Sequence, residues 1–209
     1  SIRWVLISSL SKKKSIALNL LKSEDVMNAI SCIRLLGSKV KFSKNKCEII
    51  GNGLNQNYKK KVVLNAGNSG TLGRLILGLL INSNKKIKLI GDKSLSKRDF
   101  SRVIKPLRLF GANIKSKNNL LPIEIIGTNF LRPIRYNENI GSAQVKSCII
   151  LSALNTPGTT KIISKLSRNH TELMLKFLNY PIKVKNKKNS STISIEGLNQ
   201  FKAFNYEVP

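Results

Sequence analysis

A threefold internal repetition is the strongest constraint on this chain. Three segments place small polar residues ahead of an apolar helix: Ser1-Ile2-Arg3-Trp4, Gly67-Asn68-Ser69-Gly70-Thr71-Leu72-Gly73-Arg74 and Gly141-Ser142-Ala143-Gln144-Val145-Lys146-Ser147. They lie about 70 residues apart, and a fixed period of that size marks one structural unit used repeatedly. In the first unit the patterning predicts helix over 3–10, strand over 14–21, helix over 23–36, and strands over 38–42 and 47–50. The second gives helix 71–80, strand 86–90, helix 98–110, and strands 113–115 and 122–126. The third gives helix 144–154, strand 159–164, helix 170–178, and strands 182–185 and 191–195. A leading strand is expected at 62–64 in the second unit and 134–136 in the third, and the first unit lacks one.

Punctuation keeps the repeats in step. The longer helix of each unit runs into Gly37, Gly111 or Asn179, residues that accept the left-handed conformation past a helix end. The last strand of each unit runs into Gly51, Gly127 or Gly197. Ile30, Ile33 and Leu36 follow helical spacing, as do Val103, Leu107 and Phe110, whereas Ile193 and Ile195 alternate as in a half-buried strand. The expectation is an α/β (α+β) chain of three βαβαββ repeats, near 1–52, 62–127 and 134–200, within one domain over 1–209. Leu75-Ile76-Leu77-Gly78-Leu79-Leu80 is apolar all round, which puts such helices inside and the sheets outside.

Composition excludes several functions. No apolar run approaches the ~18–20 residues of a membrane span, and no signal peptide is read at the start. Cys32, Cys47 and Cys148 are few and scattered, and His170 is the single histidine. That argues against a disulfide framework or a metal centre, and no cofactor is expected. The formal net charge of +27 is large. Most of it is Lys, spread through turns and strand edges such as 12–14, 59–61 and 183–188, in a chain also crowded with Asn and Ile. That mixture marks an AT-biased genome, and no aromatic platform for stacking bases accompanies it. Nucleic acid is therefore not the expected partner, although the charge would steer anionic metabolites. A cytoplasmic bacterial protein is expected.

The candidate site residues lie at helix starts. Asn68-Ser69-Gly70-Thr71 offers free backbone N–H groups and a favourable dipole to an anion, with Arg74 one turn in. Ser142-Ala143-Gln144 repeats the arrangement. Lys97-Arg98 closes a strand-to-helix loop, and Ser167-Arg168-Asn169-His170 closes its counterpart one unit later. Each alone is an ordinary cap or basic turn. Four in equivalent positions point to one shared anion site. His170 has no evident acidic or nucleophilic partner in the sequence.

At these residues the chain resembles the 5-enolpyruvylshikimate-3-phosphate synthase family. The resemblance is carried by Asn65-Ala66-Gly67-Asn68-Ser69-Gly70-Thr71, Gly91-Asp92-Lys93-Ser94-Leu95-Ser96-Lys97-Arg98, Arg102-Val103-Ile104-Lys105-Pro106-Leu107, Ser142-Ala143-Gln144-Val145-Lys146-Ser147 and Ser167-Arg168-Asn169-His170-Thr171-Glu172. It implies an inside-out α/β barrel domain, and transfer of the enolpyruvyl group of phosphoenolpyruvate to the 5-hydroxyl of shikimate 3-phosphate without a metal. It further implies that Ser1, Arg3, Ser142, Ala143, Gln144 and Arg168 contact shikimate 3-phosphate. Asn68, Gly70, Thr71, Arg98 and Gln144 would face phosphoenolpyruvate, with Arg74 in support. Gly70 stands where glyphosate-sensitive members carry Gly. The chain opens inside the family's Lys-Ser-x-Ser-x-Arg motif, keeping Ser1-Ile2-Arg3, and ends at Tyr206-Glu207-Val208-Pro209. The expectation is thus one domain of a two-domain enzyme. The family's proton-transfer Asp and Lys would lie in the other domain, so no residue here is assigned a catalytic role and the chain alone is expected to be inactive. Asp99-Phe100 departs from the family's Pro-Met after Arg98.

Two other readings compete. UDP-N-acetylglucosamine enolpyruvyl transferase shares the architecture but needs a poised cysteine, and none of the three cysteines is placed for that. A basic polyanion-binding module would show steep salt dependence.

Overall fold

The structure is a computed structural model describing residues 1–54 and 62–208. The lysines at 59–61 and Pro209 lie outside the described residues.

The strands form three four-stranded sheets, one centred on each repeat, and the three share one topology. The first repeat comprises α1 (Ile2–Ser8), β1 (Lys14–Leu18), α2 (Glu24–Leu35), β2 (Lys39–Phe42) and β3 (Lys46–Ile50). The second comprises β4 (Val62–Asn65), α3 (Gly70–Leu79), β5 (Ile87–Ile90), α4 (Ser101–Phe110), β6 (Asn113–Lys115) and β7 (Ile123–Ile126). The third comprises β8 (Arg135–Glu138), α5 (Ala143–Leu154), β9 (Thr159–Lys165), α6 (His170–Phe177), β10 (Ile182–Asn186) and β11 (Ser190–Glu196). The later two sheets run β4-β5-β7-β6 and β8-β9-β11-β10, each opening on a parallel pair and continuing antiparallel.

The first repeat lacks a leading strand of its own, as expected, yet its sheet is complete. A last strand, β12 (Tyr206–Glu207), pairs parallel with β1, setting Tyr206 opposite Ala17, so the first sheet reads β12-β1-β3-β2. Supporting bonds span nearly the whole chain. Trp4 Nε1 donates to the Phe204 carbonyl at 3.0 Å, and Phe204 N donates to Ser15 Oγ at 2.9 Å.

The inner helices are α1, α3 and α5. Every residue of α5 from Val145 to Leu154 is buried, and α3 is buried along nearly its whole length. Gly78 allows these two helices to touch. A Cβ there would stand 2.4 Å from the Cys148 carbonyl oxygen. Helices α2, α4 and α6 bury one face each, as Val103, Ile104, Leu107 and Phe110 show in α4.

The two glycine rules have different physical bases. Gly37, Gly111 and Asn179 take φ of 96°, 112° and 54°, the left-handed region that ends a helix. Gly51, Gly127 and Gly197 are small because backbone lies against them. A Cβ would meet the carbonyl oxygens of Ser9, Ile81 and Thr156 at 2.1, 2.2 and 1.8 Å.

The second long helix starts later than expected. Instead of one helix over 98–110, a 3-10 turn spans Leu95–Lys97 and Arg98 is extended (φ −85°, ψ 139°) before α4 begins. Asp99 Oδ1 accepts the Ser101 N–H at 3.0 Å, a local bond that competes with helix continuation. Arg98 is thereby held outside the helix.

Candidate anion-binding site

The N-terminal ends of the inner helices gather the candidate residues. Gln144, in the first turn of α5, donates from Nε2 to Thr71 Oγ1 of α3 at 3.0 Å. Its Oε1 accepts from Arg74 Nη1 at 3.1 Å. Because guanidinium only donates, this fixes which way the amide faces.

On one side of this bridge lies a cavity of about 410 Å³ lined by Arg74, Arg98, Asp99, Arg102, Ser142, Gln144 and Val145. Arg98 Nη2 donates to Asn68 Oδ1 at 3.0 Å. Arg74 also donates to the Gly70 and Asp99 carbonyls at 3.3 and 3.2 Å, and its guanidinium lies 5.0 Å from the Phe100 ring centre. Burial lowers the Arg74 pKa, and the Arg98 charge lowers it further against the raising effect of Asp99. An anion in this cavity would oppose both effects by favouring the charged guanidinium. Gly70 keeps the floor open, since a Cβ would stand 2.9 Å from Arg74 Nη1 and 3.0 Å from Arg98 Nη1.

On the other side a cavity of about 440 Å³ includes Ser1, Arg3, Asp25, Thr71 and His170 in its wall. Arg3 Nε donates to Thr171 Oγ1 at 2.9 Å, and Nη2 to Ser147 Oγ at 3.4 Å. Burial and then the Arg168 charge lower the Arg3 pKa, while Glu172 raises it. Arg168, exposed on the loop before α6, is therefore within electrostatic reach of Arg3.

The loop entering α5 is organised by a carboxylate that the sequence reading did not single out. Glu138, buried at the end of β8, accepts the N–H groups of Ile140, Gly141 and Ser142 at 3.3, 2.7 and 3.1 Å. Ser142 caps the helix by accepting the Val145 N–H at 3.3 Å, as Ser69 does for Leu72 in α3. Ala143 opens α5 beside it, half-buried. Phe100 was read only as a departure from the family pattern, yet it is fully buried and supports Arg74. Asp25 was also missed. Its signal was its place in the acidic first turn of α2.

Burial holds the thiols inert. Cys32 and Cys47 are pushed up to about 11, and Cys148 to about 12. The described residues contain no group of three or more His, Cys, Asp or Glu able to hold a metal. A cavity of about 540 Å³ near Leu10, Leu54, Leu198 and Phe201 lies at the opposite helix ends, and no candidate residue lines it.

The chain matches the family model described as EPSP synthase (3-phosphoshikimate 1-carboxyvinyltransferase) over residues 1–209. It is 40% identical to a 3-phosphoshikimate 1-carboxyvinyltransferase of Vesicomyosocius okutanii over 100% of its own length and 47% of the relative's. An enzyme of the same name from Streptococcus pyogenes is 40% identical over 84% of the chain and 42% of that protein. In structure it is similar to EPSP synthase of Acinetobacter baumannii, with a TM-score of 0.90 at 32% identity, over 100% of this chain and 47% of the other. The chain thus spans about half the length of the curated relatives it matches.

Proposed function

The chain belongs to the EPSP synthase family, and on that footing we propose that it supplies one side of a site moving the enolpyruvyl group of phosphoenolpyruvate to the 5-hydroxyl of shikimate 3-phosphate. The observation that carries this reading is the Gln144–Thr71 bridge, whose two residues line different cavities, one with Arg74, Arg98 and Arg102 and the other with Arg3. Both substrates are multiply charged anions that must lie side by side, and the bridge links two cavities that each hold arginine. Ser1, Arg3, Ser142, Ala143, Gln144 and Arg168 would hold shikimate 3-phosphate. Asn68, Gly70, Thr71 and Arg98 would hold phosphoenolpyruvate, with Gln144 shared and Arg74 bracing it.

In the reaction the 5-hydroxyl gives up its proton as its oxygen bonds to C2 of phosphoenolpyruvate, while C3 takes up a proton and the C2–C3 double bond becomes single. The C2–O bond to phosphate then breaks, and C3 loses a proton to restore the double bond. This chain's residues contribute position and charge. They align the two ligands and stabilise the leaving phosphate through guanidinium groups and helix N-termini. The nearby carboxylates of Glu138, Glu172 and Asp99 are bonded, to backbone N–H groups, Lys146 and Ser101 respectively, whereas Asp25 lines the second cavity. The family resemblance, rather than these carboxylates, is what puts the proton-transfer groups in the second domain of the enzyme and predicts no turnover by the 209 residues alone. The proposed setting is the cytoplasm. No helix among the described residues is long and apolar enough to cross a membrane.

Calorimetric titration with shikimate 3-phosphate, with UDP-N-acetylglucosamine as comparison, tests the assignment. Saturable uptake of the first alone, lost in Arg168→Ala, is the expected result. Uptake of the second alone would transfer the chain to the sister enzyme activity, and a steep loss with salt would favour general polyanion binding.

A further inference from the structure

Lys146 is the anomaly of the innermost helix. It is 1% exposed, the second residue of an otherwise uncharged, buried run from Val145 to Leu154. Its Nζ lies 2.8 Å from Glu172 Oε1 and donates to the Ser167 carbonyl at 3.4 Å. Glu172 is 3% exposed, and its Oε2 has no hydrogen-bond partner. A buried ion pair is no cheaper than apolar side chains of the same volume, so folding alone does not account for it.

Its neighbours give the pair a context. Ser147 and Thr171, each adjacent in sequence to one member, share a hydrogen bond of 2.8 Å, and Arg3 donates to both. Ser167, which accepts from Lys146, precedes Arg168. The cluster therefore holds three cations, Arg3, Arg168 and Lys146, and one anion, Glu172. Were Lys146 absent, the Glu172 carboxylate would face Arg3 and Arg168 as an internal competitor for any anionic ligand. With Lys146 in place, that charge is mostly balanced, though it still favours charged Arg3, and the three cations and one anion sum to +2, which matches a phosphate dianion.

We propose that Lys146 is a positioning residue that sequesters Glu172, leaving Arg3 and Arg168 available to the phosphate of the bound substrate. The identity of that substrate rests on the function proposed above. The sequestration itself requires only an anion.

The experiment titrates inorganic phosphate and, separately, shikimate 3-phosphate into the wild-type chain, Lys146→Met, Glu172→Gln and the double variant, with thermal unfolding confirming that each is folded. The expected order is distinctive. Lys146→Met loses at least ten-fold in affinity for both anions. Glu172→Gln gains a few-fold. The double variant returns to within a few-fold of wild type, because the competing charge has gone with its partner. A pair that merely tethered α5 to α6 would weaken binding in both single variants and in the double, and that pattern overturns the proposal. Should Lys146→Met fail to fold, the other two variants still decide, since any loss of affinity in Glu172→Gln, or a loss beyond a few-fold in the double variant, is incompatible with sequestration. Wild-type binding of phosphate but not of shikimate 3-phosphate would remove the substrate assignment and leave the charge order to be read with phosphate. Wild-type binding of neither anion would overturn this inference.

Discussion

The three inner helices finish alike and begin differently. At their C-terminal ends a two-bond backbone closure appears three times. Gly51 and Asn52 donate to the Ser11 and Ser9 carbonyls at 2.8 and 3.1 Å, and Gly127 and Thr128 donate to Ser83 and Ile81 at 2.7 and 2.9 Å. Gly197 donates to Gly158 at 3.0 Å in the same way, while Leu198 reaches further back, to Leu154 at 2.9 Å. At the N-terminal ends the repeats diverge. The first contributes Arg3, the second Thr71 and Arg74, the third Gln144 and Lys146. One end is governed by backbone packing, which imposes the same solution on each repeat. The other carries the proposed site for an unsymmetrical pair of ligands, for which threefold identity would be useless. Substitutions at the two ends should therefore fail in different currencies, stability at one and affinity at the other.

The largest effect is expected from Gly197→Ala, where the new Cβ would sit 1.8 Å from one backbone oxygen and 2.4 Å from another. A loss of more than about 3 kcal/mol is expected, read as the shift in urea midpoint, and a tolerated substitution would break the contrast at once. Alkaline pH comes next and attacks the stretch between the ends. Buried Cys148 ionises near 12 in the folded chain, against 9.0 for an ordinary thiol. The folded state therefore keeps a proton that the unfolded state releases. The stability this provides is intact below pH 9 and drains away as pH rises toward 12, at about 1.4 kcal/mol per pH unit. Cys148→Ala should flatten that slope in chemical denaturation followed across pH. A smaller, purely functional effect is expected of Arg168→Ala: a ten- to hundred-fold loss of shikimate 3-phosphate affinity, about 1.4–2.7 kcal/mol, with the thermal midpoint hardly moved. The smallest belongs to Gly70→Ala. Its Cβ would press on two guanidinium tips and otherwise only touch Leu95 at van der Waals distance, with no backbone in the way, so stability should fall by less than about 1 kcal/mol. Phosphoenolpyruvate affinity, measured with shikimate 3-phosphate present, should fall instead. A stability loss as large as that of Gly197→Ala would erase the distinction between the ends.

Much of this was legible in the residues because local chemistry and tertiary structure agree. The glycine and asparagine stops, the apolar inner helices and the small residues at helix starts each mean one thing on their own and the same thing in the fold. Features carried by distant pairs were not legible. Strand β12 is two residues long and acquires meaning only beside β1, 189 positions away, as Ala17 and Tyr206 pair. Lys146 reads as a stray charge in an apolar run until Glu172 is placed against it. Glu138 looks like a strand-end acid until three N–H groups converge on it. The late start of α4 was missed because helical spacing from Val103 onward says nothing about whether Asp99 will bond to Ser101 first.

The parallel pairing of β12 with β1 gives the molecule an unusual order of assembly. At cellular synthesis rates roughly ten to forty seconds separate residue 17 from residue 206 leaving the ribosome. For that interval the first repeat waits with one flank of its sheet unpaired, while the second and third can complete theirs from residues close at hand. The repeat made first is the last to be finished. A nascent chain that stalls late would thus expose the β1 edge, a ready template for another strand, and quality control would meet it there rather than at the newest residues.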